Sequence, residues 1–244
     1  MAKKAARKSR GKKSKASKRK IPLVGQIRRW VTRAALASVA FVVGLVLLYT
    51  VVNPPVTHTI WSEWRRLGRV DRDWVPIEEI SPMMARSVVA AEDANFCLHW
   101  GFDVDAIRDA LEDGGSRGAS TITQQVVKNV FLWQGRSYVR KALETSITPV
   151  VEIFWSKQRI LEVYLNVAET GEGIFGVEAA AQNNFNVTAA KLSPVQAARI
   201  AAILPSPRTR SVKDPSVRTR RRAAAILDGA ATIRADGRAD CFED

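Results

Sequence analysis

The sequence predicts a mainly α-helical domain behind one N-terminal transmembrane helix. A charge-free run of nineteen residues, 34–52, follows a strongly basic segment near the N-terminus. Beyond this run, helix-start signals recur before apolar residues at helical spacing. No stretch shows the regular alternation of strands and helices that a doubly wound sheet requires. These observations favour a helical domain carried by a single span.

The excess of positive charge lies entirely in residues 1–33. The formal net charge is +14, and residues 1–33 hold fourteen Lys and Arg and no acid, which leaves 24 basic and 24 acidic residues elsewhere. A basic run can bind nucleic acid, but this one has no aromatic residue before Trp30 and no DNA-binding motif. Lys and Arg before a single span hold the N-terminus in the cytoplasm. We therefore expect a cytoplasmic tail and no nucleic-acid partner.

Residues 34–52 predict a membrane anchor. At about 1.5 Å per residue they nearly cross a hydrocarbon layer of about 30 Å. A cleaved signal peptide is the alternative, but its apolar core would be ~7–15 residues long and end in small residues. Here the apolar run is longer and is followed by Asn53-Pro54-Pro55 rather than by small residues. We expect an uncleaved anchor followed by one extracytoplasmic domain, residues 53–244.

The helices of this domain are predicted from their start signals. Thr121 to Gln124 has the spacing of a capping box, and Ser156 precedes residues 157–165, where apolar side chains recur at helical spacing. Three further starts combine a capping residue with proline: Ser81-Pro82, Ser193-Pro194 and Asp214-Pro215.

The chain has two cysteines, Cys97 and Cys241. An oxidising compartment would permit a disulfide, but their positions do not reveal whether the two approach each other. We take two free thiols as the expectation. Neither cysteine belongs to a metal-ligand cluster, and no metal site is predicted.

Five ordered segments carry the residues suited to chemistry. They read AEDANFCLHWGFD (91–103), GASTITQQVVKN (118–129), RKALE (140–144), KQRILEVYLN (157–166) and GIFGVEAAA (173–181). Together they resemble the family 51 glycosyltransferases, the peptidoglycan transglycosylases, and most closely the monofunctional biosynthetic kind with one span. The resemblance covers roughly residues 54–207, with the motifs between 91 and 207. It implies a lysozyme-like helical glycosyltransferase domain and lipid II as substrate.

The resemblance also assigns site residues. Glu92 and Glu144 fall at the positions of the family's two functional carboxylates. Its cleft residues match Asp93, Phe96, His99, Ser120, Thr121, Gln125, Lys128, Arg136, Arg140 and Lys141. A divalent cation (Mg²⁺ or Mn²⁺) on the donor pyrophosphate is a further expectation, although no protein cluster demands one. Two departures concern loop shape and acceptor contacts: Ala119 stands where a second glycine is usual, and residues 183–185 are less rich in Tyr or His.

Glu92 also fits a general base on physical grounds. An acceptor hydroxyl is a poor nucleophile, so a carboxylate should take its proton as it attacks. Burial or a nearby like charge would raise the pKa of this carboxylate toward neutrality, where it works best. Glu92 follows an apolar run and is expected near a helix C-terminus, whose dipole disfavours negative charge. The alternative is a solvated glutamate at a helix end.

The expected leaving group separates synthesis from hydrolysis. A glycosidase needs a carboxylic acid to protonate a sugar oxygen, whereas a departing pyrophosphate needs positive charge and hydrogen-bond donors. The hydroxyls of Ser120 and Thr121 and free amides at a helix start would add donors. The positive charge that would bind the pyrophosphate is expected from Lys128, Arg136, Arg140 and Lys141. If Arg136, Arg140 and Glu144 share a helix, their spacing places them on one face. An ordinary salt-bridged helix surface would explain this spacing as well as a pyrophosphate-binding face does.

Two residues are expected to support structure. We interpret Phe96 as core or cleft wall, and His99 as orienting the loop that follows Glu92 rather than transferring a proton. Glu144 is expected to position the surroundings of Glu92 or the cations that bind pyrophosphate.

These features predict a peptidoglycan glycosyltransferase that polymerises lipid II into β-1,4-linked strands with inversion and release of undecaprenyl pyrophosphate. The expected partners are lipid II, the growing lipid-linked strand and the membrane, with other cell-wall synthesis proteins as further candidates. The expected location is the inner membrane, with the domain in the periplasm. Transpeptidase activity is not expected, because Ser9 to Lys12 fits Ser-x-x-Lys only in the tail and Lys-Thr-Gly is absent. The alternatives are a lysozyme-like lytic enzyme and an inactive wall-binding scaffold.

Overall fold

A computed structural model of the chain describes residues 23–114, 118, 120–135 and 137–243. Within these ranges the chain forms eleven α-helices and one three-stranded sheet. The helices are α1 (Leu23–Leu48), α2 (His58–Leu67), α3 (Pro82–Glu92), α4 (Val104–Glu112), α5 (Ile122–Phe131), α6 (Tyr138–Phe154), α7 (Lys157–Val167), α8 (Val177–Phe185), α9 (Pro194–Ile203), α10 (Val217–Ala235) and α11 (Asp240–Glu243). Short 3₁₀ helices cover Ile77–Glu79 and Ala189–Lys191. The predicted mainly helical class is confirmed.

Helix α1 is long and apolar enough to cross a bilayer. The helix begins at Leu23, before the predicted span of residues 34–52, and ends at Leu48. The last four residues of the predicted span therefore lie beyond the helix. The chain divides into two compact units between Phe41 and Val42. Within the second unit, Val46 is fully buried and its carbonyl accepts a hydrogen bond from Trp155 Nε1 at 2.8 Å. The end of the predicted span therefore belongs to the core of the domain.

The core of the second unit is built from two groups of helices. Helix α3 packs against α9 and α10, while α5 packs against α6 and α7. Side chains at helical spacing on α3, such as Met84 and Val88, are fully buried. Residues of α7, including Leu161 and Leu165, are fully buried as well. The two groups hold the ends of α3 and α5 in place, and most of the predicted site residues lie there.

Local capping rules explain most helix starts. Capping boxes open α5 at Thr121 and α9 at Ser193, and the hydroxyl of Ser156 caps α7, as predicted. Ser81 precedes Pro82 at the start of α3, but its hydroxyl donates to the Leu192 carbonyl at 3.4 Å instead of capping.

One predicted helix start was wrong. Asp214-Pro215 does not open α10, which begins at Val217. The reason is a stronger local cap, because the Ser216 hydroxyl accepts from the Thr219 amide at 3.2 Å.

The sheet is small and lies in the order β1-β3-β2. Strands β2 (Glu169–Gly171) and β3 (Ile174–Phe175) form an antiparallel hairpin, and β1 (Asp71–Arg72) pairs with β3 in parallel. Gly176 follows β3 with φ of +83°, and a Cβ there would lie 3.0 Å from the Asn166 carbonyl oxygen. Glycine is therefore needed where the chain turns from the hairpin into α8.

Cys97 and Cys241 form a disulfide, with their Cα atoms 5.7 Å apart. The expectation of two free thiols was therefore wrong. The two residues are 144 positions apart, so their approach depends on tertiary packing that sequence spacing does not reveal. Helix α11 brings Cys241 to the loop after α3, where the Phe242 ring lies 6.4 Å from the Phe96 ring. The disulfide ties the end of the described chain to the loop that follows Glu92.

Candidate active site

Glu92 is the last residue of α3, at the helix C-terminus as predicted. Its side chain is 12% exposed. Oε2 accepts a hydrogen bond from Gln125 Nε2 at 3.1 Å. Oε1 has no hydrogen-bond donor among the described residues, and Arg222 Nη2 lies 3.5 Å from it. One oxygen of this carboxylate is held in place, and the other remains able to accept a proton.

Burial raises the pKa of Glu92 above its ordinary value of 4.5. The Gln125 hydrogen bond and the positive charges of Arg222, Lys128 and Arg210 act in the opposite direction. The environment thus moves this carboxylate toward the range in which a general base works near neutral pH.

Asp93 and His99 fix the loop that follows Glu92. Asp93 Oδ1 lies 2.8 Å from His99 Nε2, and Oδ2 accepts from the Ile122 amide at 2.9 Å. Asp93 therefore joins the end of α3 to the start of α5, where a helix dipole favours negative charge. The Phe96 side chain is fully buried and packs against Phe242, so it belongs to the core rather than to a cleft wall.

The start of α5 differs from the expectation in one respect. Thr121 is buried, and its hydroxyl donates to the Gly101 carbonyl at 2.7 Å while accepting from the Gln124 amide. The Ile122 amide is bound to Asp93 and the Gln124 amide to Thr121, so these two amides of the first turn are not free as the sequence predicted. Ser120 is exposed, and its hydroxyl accepts from Lys141 Nζ at 3.4 Å.

Glu144 lies in the middle of α6 and is 2% exposed. Arg140 Nη1 and Lys141 Nζ each lie 2.5 Å from one of its two oxygens. Arg140 Nε also donates to the Gly135 carbonyl at 2.8 Å. Glu144 therefore holds two cations in fixed positions and has no oxygen left unpaired. Arg136, the third predicted member of this face, lies outside the described residues.

Lys128 is a cation on α5 that none of the described acidic side chains contacts directly. Burial lowers its pKa, the charges of Glu144 and Glu92 raise it, and those of Arg140 and Lys141 lower it. Among the described residues it forms no ion pair within 4.0 Å. A partly buried ammonium without a direct counter-charge can bind an anionic ligand.

Two cavities adjoin the Glu92–Gln125 hydrogen bond. Glu92 lines one of about 370 Å³ together with Asp93, Ser120 and Thr121. Gln125 and Lys128 line the other, of about 360 Å³, which also includes Tyr164, Asn129 and Gln134. The carboxylate of Glu92 thus borders one cavity, and its hydrogen-bond partner Gln125 borders the other.

One cluster among the described residues has the ligand types of a metal site. Ligand atoms of Asp93, His99 and Asp103 lie within 4.8 Å of one another. However, both Asp93 oxygens are engaged by His99 and the Ile122 amide. Those of Asp103 accept from Asn95 Nδ2 and the Ala106 amide, both at 2.9 Å. We interpret the cluster as a hydrogen-bonded support for the loop.

Three residues near Glu92 were not assigned from the sequence. Tyr164 lies within the fourth segment, and its hydroxyl donates to Gln125 Oε1 at 3.2 Å. Arg222 of α10 donates to the Ala91 carbonyl at 3.0 Å, and Arg210 contributes positive charge at Glu92. The basic cluster at Arg218 and residues 220–222 was the available signal, but spacing did not indicate that one member reaches α3.

Comparison with known proteins agrees with this geometry. The family model described as Transglycosylase matches residues 59–231. A protein from Jannaschia sp. named biosynthetic peptidoglycan transglycosylase is 56% identical over 234 residues, covering 96% of this chain and 98% of the relative. Proteins of the same name from Caulobacter vibrioides (47% identity, 88% of this chain, 96% of the relative) and Pseudomonas entomophila (47%, 84% and 91%) are also similar. The chain therefore belongs to the transglycosylase family.

Proposed function

We propose that the protein is a peptidoglycan glycosyltransferase that polymerises lipid II into β-1,4-linked glycan strands. Its family membership supports this reaction class. The observation that carries the proposal is the state of Glu92, a largely buried carboxylate with one oxygen held by Gln125 and the other without a hydrogen-bond donor among the described residues. Such a group is suited to remove a proton from an acceptor hydroxyl in the cavity that Glu92 lines.

In the proposed reaction, Glu92 takes the proton from the 4-hydroxyl of the acceptor's N-acetylglucosamine. The hydroxyl oxygen forms a bond to C1 of the donor's N-acetylmuramic acid. The bond from C1 to the phosphate oxygen breaks, its electron pair leaves on the phosphate, and C1 inverts from α to β. Undecaprenyl pyrophosphate is released, and the proton on Glu92 passes to solvent.

The leaving pyrophosphate is proposed to be stabilised by cations. Lys128 lines one of the adjoining cavities and forms no ion pair with another described residue. Arg140 and Lys141 are held by Glu144 and add charge that is positioned before the reaction begins, as transition-state stabilisation requires. By sequence, Arg136 belongs to the same cation group. A divalent cation would arrive with the pyrophosphate rather than reside in the protein.

The test uses the purified full chain with two substrates, radiolabelled lipid II and uncross-linked glycan strands. We expect polymer and undecaprenyl pyrophosphate from lipid II and no cleavage of the strands. A lytic enzyme would cut the strands and make no polymer, which would overturn the proposal. A scaffold would do neither.

We further propose that the protein is a single-pass inner-membrane protein with residues 1–33 in the cytoplasm and the domain in the periplasm. The length and composition of α1 support an anchor, and the basic tail supports this orientation. The disulfide supports an oxidising compartment for the domain. A C-terminal alkaline phosphatase fusion should be active and a matching β-galactosidase fusion inactive. The reverse pattern would contradict the topology.

A further inference from the structure

Tyr164 lies on α7 behind the candidate base. The residue is 2% exposed, and its hydroxyl lies 3.2 Å from Gln125 Oε1. Gln125 in turn donates from Nε2 to Glu92 Oε2 at 3.1 Å. These two contacts form a chain from a buried phenol through an amide to the carboxylate.

The direction of this chain depends on how the Gln125 amide is oriented. An amide has an acceptor end and a donor end of nearly the same shape, so rotation by 180° exchanges them. The observed orientation points N–H at Glu92 and oxygen at Tyr164. Reversal would place the amide oxygen beside a carboxylate oxygen, an arrangement that only a protonated Glu92 could satisfy.

We infer that Tyr164 is a positioning residue, whose hydroxyl donates to the Gln125 amide oxygen and holds this amide where its N–H group supports the ionised form of Glu92. This role rests on the proposed function of Glu92 as the base. A donor held toward the carboxylate favours its charged form and opposes the effect of burial. The phenol itself remains neutral at working pH, because burial raises its pKa and the charges of Glu92 and Asp93 raise it further.

Other groups around Glu92 do not duplicate this effect. The charged and titratable groups that act on Glu92 or on Tyr164 beside it are Asp93, Lys128 of α5, Arg210 after α9 and Arg222 of α10. The three cations act through charge, and Arg222 Nη2 is 3.5 Å from the other oxygen, Oε1. Gln125 supplies the hydrogen bond to Oε2, and the described residue that orients its amide oxygen is Tyr164.

The test compares the pH dependence of kcat/KM for polymerisation in the wild type, Tyr164→Phe and Tyr138→Phe. Tyr138 is 97% exposed and serves as the matched control. Loss of the hydrogen bond from Tyr164 to Gln125 should raise the pKa of Glu92. The acidic limb of the Tyr164→Phe profile should therefore move to higher pH by about half a unit. The control profile should coincide with that of the wild type. A role confined to packing would lower activity equally at every pH.

A second comparison assigns the effect to Gln125. Gln125→Ala removes the same N–H group and should move the acidic limb in the same direction. Adding Tyr164→Phe to Gln125→Ala should cause no further shift. Gln125→Ala alone remains informative if Tyr164→Phe folds poorly. The inference would be overturned if the acidic limb of the Gln125→Ala profile did not move. It would also be overturned if Tyr164→Phe moved this limb equally in the presence and in the absence of Gln125. A wild type that makes no polymer would instead contradict the proposed function.

Discussion

Glu92 and Glu144 are both largely shielded from solvent, but their polar partners differ. Glu92 receives one hydrogen bond from a neutral amide, and its other oxygen has no hydrogen-bond donor among the described residues, with Arg222 Nη2 3.5 Å away. Glu144 is paired with two cations, one at each oxygen. The same side chain is therefore prepared to take a proton in one place and to hold positive charge in the other. Environment, rather than residue type, separates the two roles.

The largest expected effect is that of Glu92→Gln, which keeps shape but removes the base. General base catalysis contributes about 10²–10⁴-fold, so polymerisation should fall by that factor. The rate from labelled lipid II is the measurement, with the exposed Glu79→Gln as the control. Activity near that of the wild type would remove Glu92 from this role.

Glu92→Gln should also be more stable than the wild type at alkaline pH. A carboxyl whose folded pKa is raised contributes stability below its unfolded pKa and loses it as pH rises through the folded pKa. Ionised Glu92 therefore costs stability, and Glu92→Gln should raise Tm at pH 8 but not near pH 4. For the same reason, the acidic limb of wild-type activity should lie above the ordinary value of 4.5. An equal Tm change at both pH values would argue against a raised pKa.

Lys128→Ala should have the next largest effect. Loss of a contact that strengthens as pyrophosphate departs should cost about 2–4 kcal/mol in the transition state, by analogy with a lost oxyanion donor, or roughly 30- to 900-fold in rate. Stability should change little, because burial already disfavours this charge. Steady-state rates and Tm are compared with those of Lys191→Ala, which removes an exposed lysine. An equal rate in the two variants would exclude a pyrophosphate contact.

Glu144→Gln should reduce activity less than Lys128→Ala but should destabilise the fold. Arg140 and Lys141 would lose their counter-charge, and removing one partner of a buried ion pair costs about 3–5 kcal/mol. Because Arg140 and Lys141 would no longer be held in place, the polymerisation rate should fall about 10- to 100-fold. Tm should fall, opposite in sign to Glu92→Gln at pH 8. If both variants changed Tm in the same direction, the contrast between the two carboxylates would not hold.

Removing the disulfide should have the smallest effect on activity. The double change Cys97→Ser and Cys241→Ser should cost about 2–5 kcal/mol of stability, which lowers Tm by roughly 5–15 °C. Activity at 25 °C should stay within about threefold, because hydrogen bonds from Asp93 still join the loop to α5. Thermal unfolding with and without dithiothreitol is the measurement. The wild type should respond to the reductant, and the double variant should not.

The sequence predicted the parts of the fold and site that local rules control. The capping box at Thr121 and the cap at Ser156 depend on neighbours within four residues, and both are present. Glu92 lies at a helix end because the apolar run of α3 stops there. The resemblance assigned Asp93, Gln125 and Lys128, which the structure brings close to Glu92 or to its hydrogen-bond partner.

The remaining features depend on contacts between distant segments. The disulfide and the approach of Arg222 to Glu92 join residues more than a hundred positions apart, and no local pattern encodes them. Val46 was assigned to the membrane span by hydropathy, although it is buried against Trp155. Hydropathy cannot distinguish lipid from a protein core, because both favour the same side chains.

The disulfide also imposes an order on biosynthesis. Translation proceeds toward the C-terminus, so Cys97 is made first and waits for Cys241, 144 positions later. The bond can close only after Lys128, Glu144 and Tyr164 have all been synthesised. Once it has closed, a single backbone cut between the cysteines leaves two fragments covalently joined. Such nicked molecules would migrate as one species on a non-reducing gel and separate only after reduction.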